Sequence, residues 1–192
     1  FIDPPKKTLG KYRKNDRSIP ARYARAIAIY REGDLSKALS KIKILISDFP
    51  KDPYFVELKG QMLFENGHLP EAMKAYRQAV ILLPDAPLFR TSLAHLILEM
   101  NRAELNDLAL KHVKYALRLD RFMPTAWRLA GTVYGRKKQF GLSALSLAEY
   151  NILINRKRLA LAQAMRALKI LKVSSPAWLR ATDIKNEIDH IK

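Results

Sequence analysis

The chain has 192 residues, with 35 Lys and Arg against 18 Asp and Glu, a formal charge of +17 and no cysteine. Its 48% apolar fraction is enough for the core of one domain or one short repeat array. The missing cysteines exclude a disulfide framework, a thiolate nucleophile and any cysteine-ligated zinc or iron–sulfur site. No apolar run approaches the roughly 20 residues that span a bilayer, and no signal peptide of the usual form is present. Starting on Phe1 rather than Met, the chain reads as a piece of a longer protein.

Residues 1–19 are basic and carry Pro4, Pro5 and Gly10, so they read as an extended arm or linker; the repeat domain is expected over 20–192. From residue 20 onward the sequence repeats itself. Gly33-Asp34-Leu35-Ser36-Lys37-Ala38 returns 34 residues later as Gly67-His68-Leu69-Pro70-Glu71-Ala72, and Pro50 and Pro53 return as Pro84 and Pro87. Within a unit the apolar positions follow helical spacing over Tyr54–Asn66 and again over Leu69–Leu83. Gly67 ends the first helix, Pro70 opens the second and Pro84 stops it. Each unit is therefore an antiparallel helical hairpin, and the spacing predicts five, near 20–49, 53–83, 87–120, 124–155 and 157–190. Such hairpins cannot bury both faces alone and must stack. The expected fold is all-α, an α-α superhelix of about five hairpins. Gly60 and Ala72 should let paired helices approach closely, with Tyr76 filling the gap to the next unit. In the fifth unit Asn155 or Lys157 stands where Gly is expected, and Pro176–Ile191 reads as a polar capping helix.

These residues resemble the tetratricopeptide repeat: Gly60, Leu63, Ala72, Tyr76, Ala79 and Pro84 fall in its order, as do Trp127, Gly131 and Tyr134. The stretches Ala21–Ala28, Pro53–Gln61, Ala126–Ala130 and Ser175–Ile184 look more specifically like the C-terminal repeat region of bacterial periplasmic zinc metallopeptidases. These form metallopeptidase family forty-eight, of the beta-barrel assembly-enhancing protease type. That resemblance implies a periplasmic parent whose HExxH peptidase domain holds zinc, and a repeat region that packs on it and presents substrates in outer-membrane protein quality control. His68, His95, His112 and His190 form no HExxH, so this chain carries no catalytic residues and no cofactor of its own; the zinc is expected in the missing domain. The alternatives are a free-standing adaptor, which would fit a cytoplasmic setting, and a nucleic-acid-binding helical repeat.

The family's groove positions fall on the first helix of each hairpin: Tyr23, Ile27, Tyr30 and Arg31, then Tyr54, Glu57, Gln61, Phe64 and Glu65, then Thr91, His95 and Leu98, then Arg128, Thr132 and Arg136. Tyr, Phe, Gln and Arg on one wall suit capture of an extended peptide or docking helix, although the same aromatics also serve as packing residues. His95 has no second ligand one turn away, so no metal site is expected. Charge is uneven: residues 53–86 hold three bases and four acids, whereas Arg121–Lys172 hold eleven bases and one acid, Glu149. The clusters Arg136-Lys137-Lys138 and Arg156-Lys157-Arg158 fall at predicted turns. They read as solvated loop charge or as docking turns for an acidic protein surface, anionic lipid or nucleic acid. Nucleic acid is the weaker of these, because no RNA- or DNA-binding signature accompanies the charge. An enzyme is weaker still, since no nucleophile set, phosphate loop or paired-carboxylate cleft can be assembled.

Overall fold

The computed structural model describes residues 3–189, the side chains through Ile188, and those residues contain helices and no strand. Ile191, which the sequence pattern places in the last helix, lies outside them, as does His190. The chain divides into two compact units, Phe1–Pro84 and Asp85–Lys192.

The first unit contains α1 (Pro5–Lys11), α2 (Ile19–Arg31), α3 (Leu35–Asp48), α4 (Pro53–Glu65) and α5 (Leu69–Leu82). The starts are set locally. Ser18, Asp34 and Asp52 accept from the backbone N–H groups of Ala21, Lys37 and Tyr54, and Pro20, Pro53 and Pro70 occupy the first two helical positions. Gly33 and Gly67 turn the chain at φ 92° and 78°, a region that suits glycine. Ile29, Ala38, Ile42 and Leu45 join Phe55, Leu58 and Met62 in one core, so α4 covers the apolar face that the α2/α3 hairpin leaves open.

The arm differs from the expectation. Residues Pro5–Lys11 form helix α1 rather than an extended segment. Its anchors lie outside it in sequence: Arg25 donates to the Arg13 and Asp16 carbonyl oxygens, both at 2.7 Å, and Arg31 donates to that of Asp3 at 2.9 Å. These contacts hold the residues on either side of α1, and Leu9 of α1 itself packs on the α2/α3/α4 core.

The second unit contains α6 (Pro87–Glu99), a short 3-10 turn (Ala103–Leu105), α7 (Asn106–Leu119), α8 (Pro124–Arg136), α9 (Phe140–Leu153), α10 (Lys157–Ile170) and α11 (Pro176–Asp189). The connection from α6 to α7, residues 100–105, is longer than that from α4 to α5, residues 66–68, and it contains the 3-10 turn.

The last predicted hairpin gains a second close partner in α9. At the turns after α2, α4 and α8, an N–H just past the left-handed residue donates five residues back: Asp34 to Ile29, His68 to Leu63 and Gln139 to Tyr134. The same bond, Arg156 N–H to the Asn151 oxygen at 2.7 Å, closes the turn between α9 and α10, where Asn155 has φ 57°. Ala148, Asn151, Asn155 and Ala160 thus take the places of Gly60, Leu63, Gly67 and Ala72. Helix α9 is both the second helix of the α8/α9 hairpin and the first of an α9/α10 hairpin. The predicted 157–190 pairing of α10 with α11 is present as well, with Ala181 and Ile184 of α11 buried in the same core as Ala160, Ala164 and Ala167 of α10, and the α9/α10 contact is an additional close pairing. Ala160, Ala164 and Ala167 are wholly buried facing Ala144 and Ala148, and Ile184 and Ile188 close the same core. Glu149, the one acid between Arg121 and Lys172, is 7% exposed and accepts from Arg180 Nε and Nη2 at 2.6 and 2.9 Å, tying α11 to α9.

Close approach within hairpins is visible at Gly60. A Cβ there would lie 2.7 Å from Tyr76 Cδ1, so the Tyr76 ring rests on Gly60 inside the α4/α5 hairpin instead of filling a gap to the next unit. A Cβ at Gly131 would meet Leu147 Cδ2 at 2.8 Å. The Tyr76 ring is 3% exposed and its neighbours hold it, whereas Leu147 is only half-buried and can rotate. Gly60→Leu is therefore expected to cost about 1–3 kcal/mol through overpacking. Gly131→Ala should be near neutral, because about 1 kcal/mol of helix propensity offsets a small shift of Leu147. Urea unfolding of the two variants measures both; equal losses would refute the difference.

Candidate functional site

The first unit brings several expected groove residues together. Tyr30 of α2 donates from its hydroxyl to Glu65 Oε2 of α4 at 2.5 Å, Gln61 Nε2 donates to Glu65 Oε1 at 2.8 Å, and Asn66 Nδ2 donates to the Tyr30 hydroxyl at 3.1 Å. Helical spacing sets Gln61 and Glu65 one turn apart on α4, and the α2–α4 packing brings Tyr30 to them. Burial, then the Glu65 carboxylate, pushes the Tyr30 hydroxyl up to about 12, so it remains a donor throughout the physiological range. Burial also raises Tyr23, with Glu57 and Asp52 adding to it, and its ring packs on Phe55 at 5.4 Å between centroids. The Tyr76 hydroxyl is pushed well above its ordinary value by burial and then by Glu57 and Glu65. The α2/α4 face therefore carries Tyr23, Tyr30 and Tyr54 with the carboxylates Glu57 and Glu65, while Tyr76 of α5 is buried.

Individual residues divide by exposure. Tyr54 is 56% exposed at the start of α4, where a ligand can reach its ring. Phe64 is half-buried, edge-on to Tyr76 with centroids 6.4 Å apart, which is a packing role. Ile27 also packs against the α2/α3/α4 core.

In the second unit the expected residues are more scattered. Thr91 is 3% exposed and donates to the Pro87 oxygen at 2.8 Å, and Leu98 is 2% exposed, so neither faces a ligand. Thr132 is exposed and its hydroxyl donates to the Arg128 oxygen at 3.2 Å. His95 Nε2 lies 3.5 Å from Glu99 Oε1. Burial lowers the His95 imidazole from its ordinary value, with the neighbouring Glu99 opposing and Arg128 reinforcing. Among the described residues no group of three His, Asp or Glu is placed to hold a metal ion. None of the helices described is long and apolar enough to cross a membrane.

The two basic turns differ. Arg136 donates to the Leu98 oxygen at 2.8 Å, satisfying a carbonyl in the last turn of α6, and Lys137 pairs with Asp107 of α7. These two are occupied in holding the second unit together. Lys138 is exposed in a left-handed turn at φ 58°, and Arg156, Lys157 and Arg158 are exposed at the start of α10.

Sequence reasoning missed a cavity in the first unit, of about 560 Å³, between α1, α2 and α3. Its rim carries Lys14, Arg17, Arg22, Arg25, Lys37 and Lys41, and its floor is Leu9, Ile29 and Ile44. The available signal was the spacing of Lys37, Lys41 and Ile44, which share one face of α3, together with the basic loop after α1.

Residues 22–87 match the family model of the tetratricopeptide repeat. No curated protein matches the chain significantly. Among solved structures, MamA residues 41 to the end from Desulfovibrio magneticus RS-1 has a TM-score of 0.66 at 14% identity, covering 90% of this chain and 93% of that one. A thermophilic tetratricopeptide protein of Thermus thermophilus has a TM-score of 0.56 at 18% identity, covering 87% and 98%. A chain of the Cut9-Hcn1 hetero-tetramer of the APC/C has a TM-score of 0.65 at 16% identity, covering 96% of this chain and 39% of that one. The chain thus contains a tetratricopeptide repeat region, and its fold class is the all-α helical-repeat class expected from the sequence.

A depressed imidazole makes a signed prediction. His95 resists protonation in the folded state, so its contribution to stability is full above about 6.5 and is lost as pH falls toward its lowered folded value. The urea midpoint of His95→Asn is expected to vary less than that of the parent across this window, and an identical slope would refute the assignment.

Proposed function

We propose that this chain is a protein-interaction module whose α2/α4 face in the first unit captures an extended peptide or a docking helix. The observation that carries the reading is one face of α4, which presents the exposed Tyr54 ring near its start and the Gln61–Glu65 pair, hydrogen-bonded to Tyr30, near its end. Aromatic and hydrogen-bonding groups spaced along one helix face suit an extended ligand, and Glu57 and Glu65 favour basic ligand residues. Tyr54 and Gln61 supply ligand contacts, Tyr23 and Tyr30 shape the wall, and Phe64 supports it from behind.

Two settings accommodate such a module. In the first, it is the substrate-presenting repeat region of a periplasmic zinc metallopeptidase, docked on the parent's own peptidase domain. The stretches Pro53–Gln61 and Ser175–Ile184 motivate that setting by resemblance. In the second, it is a free-standing adaptor, which the repeat fold supports equally. The coding sequence upstream of Phe1 separates them: an HExxH domain and an export signal are expected for the protease, and the absence of both would leave the adaptor.

Selection of a displayed dodecapeptide library on the purified protein tests the face itself. Enriched peptides are expected to lose about tenfold in affinity on the Tyr54→Ala/Gln61→Ala double variant with helical circular dichroism retained. Undiminished binding by that folded variant would remove the α2/α4 face from consideration.

A further inference from the structure

The cavity between α1, α2 and α3 is separate from the α2/α4 face with its carboxylates Glu57 and Glu65. Six bases line it and Glu32 is the one acid among its lining residues. The bases are not equally available. Arg22 pairs with Asp48, and Arg25 spends its donors on the Arg13 and Asp16 carbonyls, which fixes the loop that forms one wall. Lys14, Arg17, Lys37 and Lys41 are exposed and, among the described residues, have no acidic partner. Between them lies an apolar floor. Ile29 is 8% exposed, and Ile44, one helical turn from Lys41 on α3, is 51% exposed and open to a ligand.

We infer that this cavity is a second binding site, which takes an acidic peptide segment with one apolar anchor residue flanked by Asp or Glu. Charge complementarity selects the class. Four unpaired cations around an apolar floor are satisfied by several carboxylates spaced along a backbone while one side chain drops onto Leu9, Ile29 and Ile44. A single anionic headgroup fits less well. The cations stand on two separate segments, the loop after α1 and helix α3, and three aliphatic side chains make too short a floor for an acyl chain. The volume, about 560 Å³, is in the range of ligand-sized sites and admits a large side chain with its flanking backbone. The order of α1 also acquires a use: by pinning the arm, Arg25 and Arg31 build the wall that carries Lys14 and Arg17.

The test uses a fluorescent heptapeptide with a central Phe and three Glu or Asp on each side, titrated into the full chain at low and raised salt. Binding is expected to weaken about five- to tenfold in Lys37→Gln/Lys41→Gln, whose altered side chains are exposed and not needed for folding. It should weaken similarly when the peptide's Phe becomes Ser, and stay unchanged in Lys157→Gln/Arg158→Gln. Equal loss with the α10 variant would show attraction to net charge alone and overturn the site. Unchanged affinity in the α3 variant, or for the peptide without Phe, would also overturn it. So would phosphatidylglycerol vesicles that bind with the α3 dependence when the peptide does not. The Tyr54→Ala/Gln61→Ala variant should bind this acidic peptide normally, so failure of one site does not imply failure of the other.

Discussion

The constraint on which this protein depends is the distance at which two antiparallel helices can pack. Gly60 leaves room for the Tyr76 ring, Gly131 does the same for Leu147, and between α9 and α10 the role passes to Ala144, Ala148, Ala160, Ala164 and Ala167. Close approach removes apolar area from water without long side chains, and it leaves one face of each hairpin for the next helix to cover. Because α4 covers the open face of α2/α3, Glu65, which also accepts from Gln61, meets the Tyr30 hydroxyl.

Chain reversal is the second requirement. At the turns between successive helices the left-handed residue is Gly33, Gly67, Asn101, Lys138, Asn155 or Ser174. Glycine takes that conformation freely and asparagine tolerates it, but lysine does so under strain. Lys138 therefore marks a place where the sequence departs from local preference and the packing of α8 on α9 over-determines the backbone.

The helices from α2 onward and the predicted hairpins were legible because glycine and proline recur at a fixed interval. The pairing of α9 with α10 was less so: with Asn155 for glycine and Ala148 for Gly60, an alanine-rich pair carries no glycine landmark. Helix α1 was hidden for another reason, since its contacts, Leu9 on the α2/α3/α4 core and the Arg25 and Arg31 bonds to its flanking residues, come from well away in sequence. At the candidate site, Tyr54 and Gln61 were readable from repeat position. The burial of Thr91 and Leu98 was not, because it depends on how far each helix is rotated toward its neighbours. Repeat position likewise could not show that Arg136 and Lys137 are committed to α6 and α7 while Lys14, Arg17, Lys37 and Lys41 remain available.

The +17 charge accordingly has more than one role. Part of it satisfies carbonyls and carboxylates inside the fold and part surrounds the α1–α3 cavity, whereas the α2/α4 face carries Glu57 and Glu65. The most direct measurement of the central claim is amide hydrogen exchange of the full chain with and without a peptide selected on it. The account predicts that protection grows in α2 and α4, around Tyr30 and Tyr54–Glu65. Protection confined to the turns at 136–138 and 156–158, with α2 and α4 unchanged, would contradict it.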